Sequence, residues 1–267
     1  MIKLFAVDLD DTLLRDGNII SKEDKQAIRD LEESGVKVVI ASGRSEPTLK
    51  DVILELGLEK NKHVGVNGAL VLDLNGKNEF SKYIDRDTYV NLIERLRSEN
   101  REFFCYCDGG LMYEHVDKLR PQVEYFHSAK ALIKGDVMSI PQCPRVNTYY
   151  GDEEELSYVR SICPEGLYST ANSGILDYMP IGLNKFSGLE LVLKEYGIDK
   201  KDVACIGDQE SDLDMFNNCG YSFAVSNCDD FAREAADIVL PRSHNENGVA
   251  YAIYKYLLKD EDKLSKI

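Results

Sequence analysis

The chain has 267 residues, enough for one large domain or two modest ones, and its 43% hydrophobic and 30% charged content is that of an ordinary soluble globular protein. With 32 basic against 47 acidic residues the net charge is −15. That field argues against nucleic acid or an anionic membrane as a partner, and a phosphorylated ligand meets it favourably only where local cations reverse its sign. No apolar stretch spans a bilayer, and the N-terminus lacks the basic-then-apolar layout of a signal peptide. The seven cysteines are odd in number and scattered, so reduced thiols in the cytoplasm are expected, and the four scattered histidines form no zinc pattern.

Ile2–Val7 is an apolar run of the kind buried on both faces inside a parallel sheet, and it leads directly into Asp8-Leu9-Asp10-Asp11-Thr12. Side chains alternate along a strand, so Asp8 and Asp10 start on the same side of its carboxyl end, where open α/β sheets collect ligands. Two carboxylates placed there either gather a cation or form a solvated acidic turn; the pentapeptide leaves both readings open. Ser21 caps a helix with Asp24 as its capping-box partner, Ala27, Ile28 and Leu31 form the buried stripe, and Gly35 stops it. Val36–Ala41 is a second buried strand, ending in Ser42-Gly43-Arg44. Ser45 opens a helix with Val52, Ile53 and Leu56 inward and Gly57 at its end. His63–Val66 is a strand running into Asn67-Gly68, and Leu70–Leu74 with Asn75-Gly76 reads as a hairpin on a type I′ turn.

From about Tyr83 the texture changes. A helix over Thr88–Glu99, a strand over Glu102–Cys107 and a turn at Asp108-Gly109-Gly110 precede a helix near Val123–Leu132. A strand over Val146–Tyr150, a helix over Glu153–Ile162 and strands over Leu167–Ala171 and Ile175–Met179 follow. Cys105-x-Cys107 lies in an aromatic strand and reads as packing. After Gly182 the rhythm of strand and helix returns: helix Lys185–Tyr196, buried strand Asp202–Ile206, helix Asp212–Asn217, strand Tyr221–Val225, short helix Phe231–Ala236, strand Asp237–Leu240 and an amphipathic helix Glu246–Leu258. The expected fold is α/β, a doubly wound parallel sheet built from residues 1–82 and 183–267, with an α+β domain of residues 83–182 inserted into it.

Four strand ends carry polar clusters: Asp8/Asp10, Ser42-Gly43-Arg44, Asn67-Gly68 and Gly207-Asp208. Parallel strands put all four on one rim. The alternating acids from Asp208 to Asp214 do not form a calcium loop, because Leu213 occupies the glycine position and Cys219 that of the bidentate glutamate. Asp208 with Asp8 and Asp10 gives instead a hard oxygen shell that suits Mg2+. Lys185 opens a helix, where exposed N–H groups already favour an anion, and Ser42 offers a hydroxyl for phosphoryl oxygens. Taken singly, such a lysine is a solvated surface residue and Ser42-Gly43 an ordinary turn. Together they imply more.

Asp8-Leu9-Asp10-Asp11-Thr12, Ile40-Ala41-Ser42-Gly43-Arg44, Lys185 and Gly207-Asp208 through Asp212, in this order and with a cap-sized gap, resemble the four motifs of the haloacid dehalogenase superfamily phosphatases of the Cof-like subgroup. Val66-Asn67-Gly68-Ala69 and Glu246-Asn247-Gly248-Val249 are similar to subgroup signatures, and the resemblance covers essentially the whole chain. It implies a magnesium-dependent phosphatase for small phosphate monoesters such as sugar or cofactor phosphates, working through an aspartyl-phosphate under a cap formed by the inserted domain. Asp8 is then the nucleophile and Asp10 the acid and base. Leu9, Ser42, Gly43, Lys185 and Ser211 contact the phosphate, and Asp8, Asp10 (through its backbone carbonyl), Asp208 and Asp212 serve the metal. Two residues depart from the subgroup pattern: Ser211 stands where asparagine is usual, and Phe186-Ser187 follows Lys185 where glycine is usual. The nearest rival reading is a phosphotransferase or sugar phosphomutase of the same superfamily. A non-catalytic binding protein would be marked by loss of Asp8, Asp10 or Lys185, all present, and a dinucleotide enzyme lacks its G-x-G-x-x-G. Arg86, His115 and Arg145, in the inserted domain, are polar enough to meet a substrate and read as ordinary surface or structural residues. The natural substrate and the oligomeric state stay open.

Overall fold

The computed structural model describes residues 1–127, 129–172 and 174–267. In chain order it begins with β1 (Leu4–Val7), α1 (Lys22–Glu33), β2 (Lys37–Ile40), α2 (Glu46–Leu56), β3 (Lys62–Gly65), β4 (Leu70–Asp73) and β5 (Glu79–Phe80). Next come α3 (Arg86–Ser98), β6 (Phe103–Cys107), β7 (Gly110–Tyr113), α4 (Arg120–His127), β8 (Leu132–Lys134), β9 (Val146–Tyr149), α5 (Glu153–Ser161), β10 (Leu167–Asn172) and β11 (Ile175–Pro180). The last stretch holds α6 (Lys185–Tyr196), β12 (Val203–Gly207), α7 (Leu213–Asn218), β13 (Tyr221–Ala224), α8 (Asp230–Ala235), β14 (Ile238–Val239), α9 (Gly248–Ala252) and α10 (Glu261–Leu264). These elements group into two compact units, one of residues 1–43, 50–79 and 184–267, the other of residues 44–49 and 80–183.

The first unit is an α/β fold on a parallel five-stranded sheet ordered β14-β13-β12-β1-β2. From β1 the chain steps to β2 on one side, while β12, β13 and β14 fill the other. The strand order therefore reverses between β1 and β12, the crevice where such sheets bind ligands. Register does the rest: Val7 lies opposite Ile206, so β1 and β12 run out together, into Asp8 and Asp208. All four residues of β1 are fully buried, as an apolar run with helices on both faces requires. Leu4, Ala6, Val39, Val203 and Cys205 pack with Leu189 and Val192 of α6 and with Met215 and Phe216 of α7. Beyond β2, Ala41 makes a parallel bridge to Val64, and β3 then turns back through Val66–Gly68 to pair antiparallel with β4.

The second unit carries a six-stranded sheet ordered β10-β11-β9-β6-β7-β8, antiparallel except for the β7–β8 pair. Tyr89, Leu92, Ile93 and Leu96 of α3 and Leu156 and Val159 of α5 cover one face, against Phe103, Cys105, Val146, Leu176 and Tyr178. Cys105 is thus a core residue.

Several expected elements are corrected. Asn75-Gly76 is not a type I′ turn, since neither residue has a positive φ. The Asp73 carboxylate accepts the Asn75 N–H at 2.9 Å, and the connection is too long for a two-residue loop. The helix expected near 123–132 ends at His127; Ser128 lies outside the described residues, and 132–134 is instead a strand paired with β7. The helix expected over 246–258 is broken at Asn247, which is left-handed at φ 61, so that a 3₁₀ turn, α9 and a π-helical turn replace one continuous helix. Asp24 does not close a capping box onto the Ser21 backbone: its carboxylate accepts the Ser21 hydroxyl at 2.6 Å and the Ala250 N–H at 2.8 Å, because α1 docks on α9.

Candidate active site

Lys185 is the first residue of α6 and is buried, with 3% of its surface exposed. Its Nζ donates to Asp8 Oδ1 at 2.6 Å and to Asp212 Oδ1 at 2.8 Å. Asp212 Oδ2 accepts the backbone N–H groups of Asp208 (3.0 Å) and Gln209 (3.2 Å), which holds the loop after β12 closed. The Thr12 hydroxyl donates to Asp208 Oδ1 at 2.8 Å. Asp8, Asp208 and Asp212 each bring a carboxylate oxygen to within 4.8 Å of the others, all three side chains being buried.

Local sequence explains the closeness. A Cβ on Gly207 would lie 2.3 Å from Asp212 Cγ, so the glycine is what lets Asp212 fold back against the strand end. A Cβ on Gly68 would lie 1.8 Å from the Asn184 carbonyl oxygen; its absence lets the β3–β4 turn rest against the start of α6. Ser187, one of the two departures from the subgroup pattern, completes a capping box. Asn184 Oδ1 accepts the Ser187 N–H at 2.8 Å, and Ser187 Oγ accepts the Asn184 N–H at 3.0 Å. The helix start that carries Lys185 is therefore fixed by its own cap and by a turn without a side chain.

Burial pushes the Asp8 carboxyl up to about 7; the Lys185 ammonium opposes this, while Asp212 and Asp10 add to it. Asp208 is likewise held well above the usual carboxylate range, by burial first and then by Asp8 and Asp212, with the Thr12 hydroxyl pulling the other way. Burial alone would lower Lys185, but Asp212 and Asp8 outweigh it and keep the ammonium above the ordinary lysine range. Three buried acids facing one lysine leave a deficit of positive charge.

Leu9 is fully buried and Asp10 half-buried, immediately after Asp8. Ser42 is fully buried beyond β2, its N–H donating to the Val64 carbonyl at 2.9 Å and its carbonyl accepting the Asn67 N–H at 3.1 Å. Gly43 follows it, partly buried, and Ser211 is partly buried in the 3₁₀ turn Glu210–Asp212. In the second unit, Arg86 donates to the carbonyls of Ile140 (2.7 Å) and Met138 (2.9 Å), Arg145 pairs with Asp177, and His115 lies 3.6 Å from Asp117 on the surface. One residue that touches the cluster, Thr12, is visible in the sequence only as the last letter of the first motif.

Comparisons with known proteins identify the family and the fold. Residues 5–253 match the haloacid dehalogenase-like hydrolases. The chain is 25% identical to the 5-amino-6-(5-phospho-D-ribitylamino)uracil phosphatase YwtE of Bacillus subtilis, over 96% of this chain and 98% of that one. It is 29% identical to phosphoglycolate phosphatase 1 of Saccharolobus solfataricus, over 98% of each. A haloacid dehalogenase-like hydrolase from Bacteroides thetaiotaomicron has the same fold at a TM-score of 0.85 and 23% identity, covering 96% of this chain and 99% of that one. With its strand order, its acids at the switch point and a family match across nearly its whole length, the chain belongs to the haloacid dehalogenase-like hydrolases.

Proposed function

We propose that the protein is a magnesium-dependent phosphatase that hydrolyses small phosphate monoesters through an aspartyl-phosphate on Asp8. The observation that carries this reading is the Lys185 ammonium shared between Asp8 at 2.6 Å and Asp212 at 2.8 Å, beside Asp208. The named phosphatases among the relatives support the reaction class.

The donor set fits a hard divalent cation: three buried carboxylates within 4.8 Å of one another, all oxygen. Asp212 spends both oxygens on Lys185 and on the loop N–H groups. Asp8 and Asp208, with the Asp10 carbonyl, would therefore hold Mg2+, and Asp212 would keep Lys185 and the Asp208 loop in place. Bound there, the ion compensates charge on the phosphoryl oxygens.

Asp8 attacks the phosphorus in line, forming an acyl phosphate as the ester bond breaks. Asp10 gives its proton to the departing alkoxide. Water then attacks the phosphorus, its proton goes to Asp10, the Asp8–phosphorus bond breaks, and inorganic phosphate leaves. Lys185, the Ser42 hydroxyl, the Leu9 N–H, Gly43 and Ser211 hold the phosphoryl oxygens throughout, so that most of the rate comes from positioning and charge compensation. The test is phosphate release from a panel of phosphomonoesters with magnesium, for the parent and Asp8→Asn. Loss of roughly 1,000-fold or more is expected in the variant; activity equal to the parent's rejects the nucleophile and the mechanism with it.

A further inference from the structure

The loop after β13 is hydrogen-bonded to the backbone on both sides of the acid cluster. Its Asp229 N–H donates to the Asp208 carbonyl at 2.8 Å, and Asn227 Nδ2 donates to the Asp11 carbonyl at 2.8 Å. Asp11 is the residue after Asp10, and its backbone is left-handed at φ 56, a conformation uncommon outside glycine that aspartate and asparagine enter more readily than other residues. The chain winds tightly at this point, the N–H groups of Leu13 and Leu14 both reaching the Leu9 carbonyl, at 3.0 and 2.8 Å.

The orientation of the Asn227 amide is fixed from behind. The His244 backbone N–H donates to Asn227 Oδ1 at 3.0 Å, so the NH2 end must face Asp11. The same segment grips the far side of the turn. His244 Nε2 lies 3.2 Å from Asp16 Oδ1, Asn245 Nδ2 donates to Asp16 Oδ2 at 3.0 Å, and the Asp16 N–H donates to Asn245 Oδ1 at 3.2 Å. His244 and Asn245, just before the signature Glu246-Asn247-Gly248-Val249, thus brace the loop that carries Asp10.

We propose that Asn227 is a positioning residue for Asp10: by holding the Asp11 carbonyl it fixes the left-handed turn that aims the Asp10 carboxyl at the leaving oxygen. The proposal rests on the phosphatase reading above. Asn227 itself is exposed, so its replacement leaves the core intact.

The discriminating measurement is leaving-group dependence. A p-nitrophenolate departs without a proton, whereas an alkoxide needs one, so a misplaced acid is felt only with the second. The quantity to compare is kcat/KM, which covers the steps up to loss of the leaving group, for p-nitrophenyl phosphate and for the alkyl phosphate the parent hydrolyses fastest. With magnesium present, Asn227→Ala is expected to lower the alkyl value about 30-fold and the aryl value less than about 3-fold. Asn227→Asp, whose carboxylate repels the Asp11 carbonyl, is expected to lose at least as much, and both variants are expected to melt within about 3 °C of the parent. Equal losses on both substrates, a larger loss on the aryl ester, or no loss would each overturn the proposal while leaving the phosphatase reading in place. A parent that releases no phosphate, or an Asp8→Asn variant as active as the parent, would overturn the phosphatase reading and this one together.

Discussion

His63 makes the acid limb of stability predictable. It is fully buried in β3, where Nδ1 accepts the Ile40 N–H at 3.0 Å and Nε2 lies 3.0 Å from the Leu58 carbonyl. These partners require a neutral ring with its proton on Nε2, because a second proton on Nδ1 would face the Ile40 N–H. Burial pulls the group down from 6.5 to about 4, against the Leu58 carbonyl and the Asp73 carboxylate. The folded state therefore binds this proton less readily than the unfolded chain. The stabilisation is complete above the unfolded value and is lost as pH falls from 6.5 towards 4. A shift of that size corresponds to about 3 kcal/mol in full, most of it gone by roughly pH 4.5. Urea unfolding of the parent and of His63→Asn, which keeps an acceptor for Ile40 and cannot titrate, isolates the effect from the carboxylates. The variant is expected to be less stable near neutrality by about 1–2 kcal/mol, through the lost Leu58 bond and packing. The gap should close or reverse as pH falls. A gap that stays constant from about pH 7.5 to about pH 4.5 would refute the neutral, buried assignment.

Two further outcomes follow from the acid cluster. Because the Asp8 carboxyl is pushed up to about 7 from 3.8, chiefly by burial, the folded state holds that proton more tightly; the cost of burial is absent below 3.8, grows as pH rises to about 7 and is level above. Magnesium competes with the proton, so the rise in melting temperature that it causes should be several degrees larger near pH 8 than near pH 5; an equal shift at both would place the ion elsewhere. Gly207→Ala puts a methyl 2.3 Å from Asp212 Cγ. Displacing Asp212 should cost about 1–3 kcal/mol in urea unfolding and lower kcat on the order of 100-fold, and wild-type turnover would show that Asp212 need not sit against the strand.

Elements whose cause is local were legible. Lys185–Tyr196 is bounded as the sequence indicated because Asn184 caps it and Gly197, left-handed, ends it. Elements whose cause is remote were not. Nothing near residue 132 announces a strand; the edge of β7 makes it one. Asp24 is drawn from its own helix start by the Ala250 N–H, 226 positions away. The same divide runs through the candidate site. Asp8, Asp208 and Lys185 stand out because the carboxyl ends of parallel strands gather ligand-binding side chains and a helix start already favours the anion that such a lysine would meet. That Asp212 spends both oxygens within the protein depends on Gly207 being bare and on the loop turning its N–H groups inward, which no spacing rule contains.

The charge arrangement ties fold and chemistry at one residue. A lysine ammonium buried alone would lose its proton or unfold the helix start, and carboxylates buried alone would take up protons; each is tolerable because the other is within 2.8 Å. What brings them together is backbone packing, the Gly68 turn against Asn184 on one side and the Val7–Ile206 register on the other. One ammonium cannot balance Asp8, Asp208 and Asp212 when all are ionised, and the Asp8 and Asp208 carboxyls are raised first by burial and then by their acidic neighbours. A site built in this way is incomplete as an electrostatic unit at neutral pH. On the proposed function a divalent cation would complete it, bringing Asp8, Asp208, Asp212 and Lys185 close to neutrality before a phosphoryl group arrives.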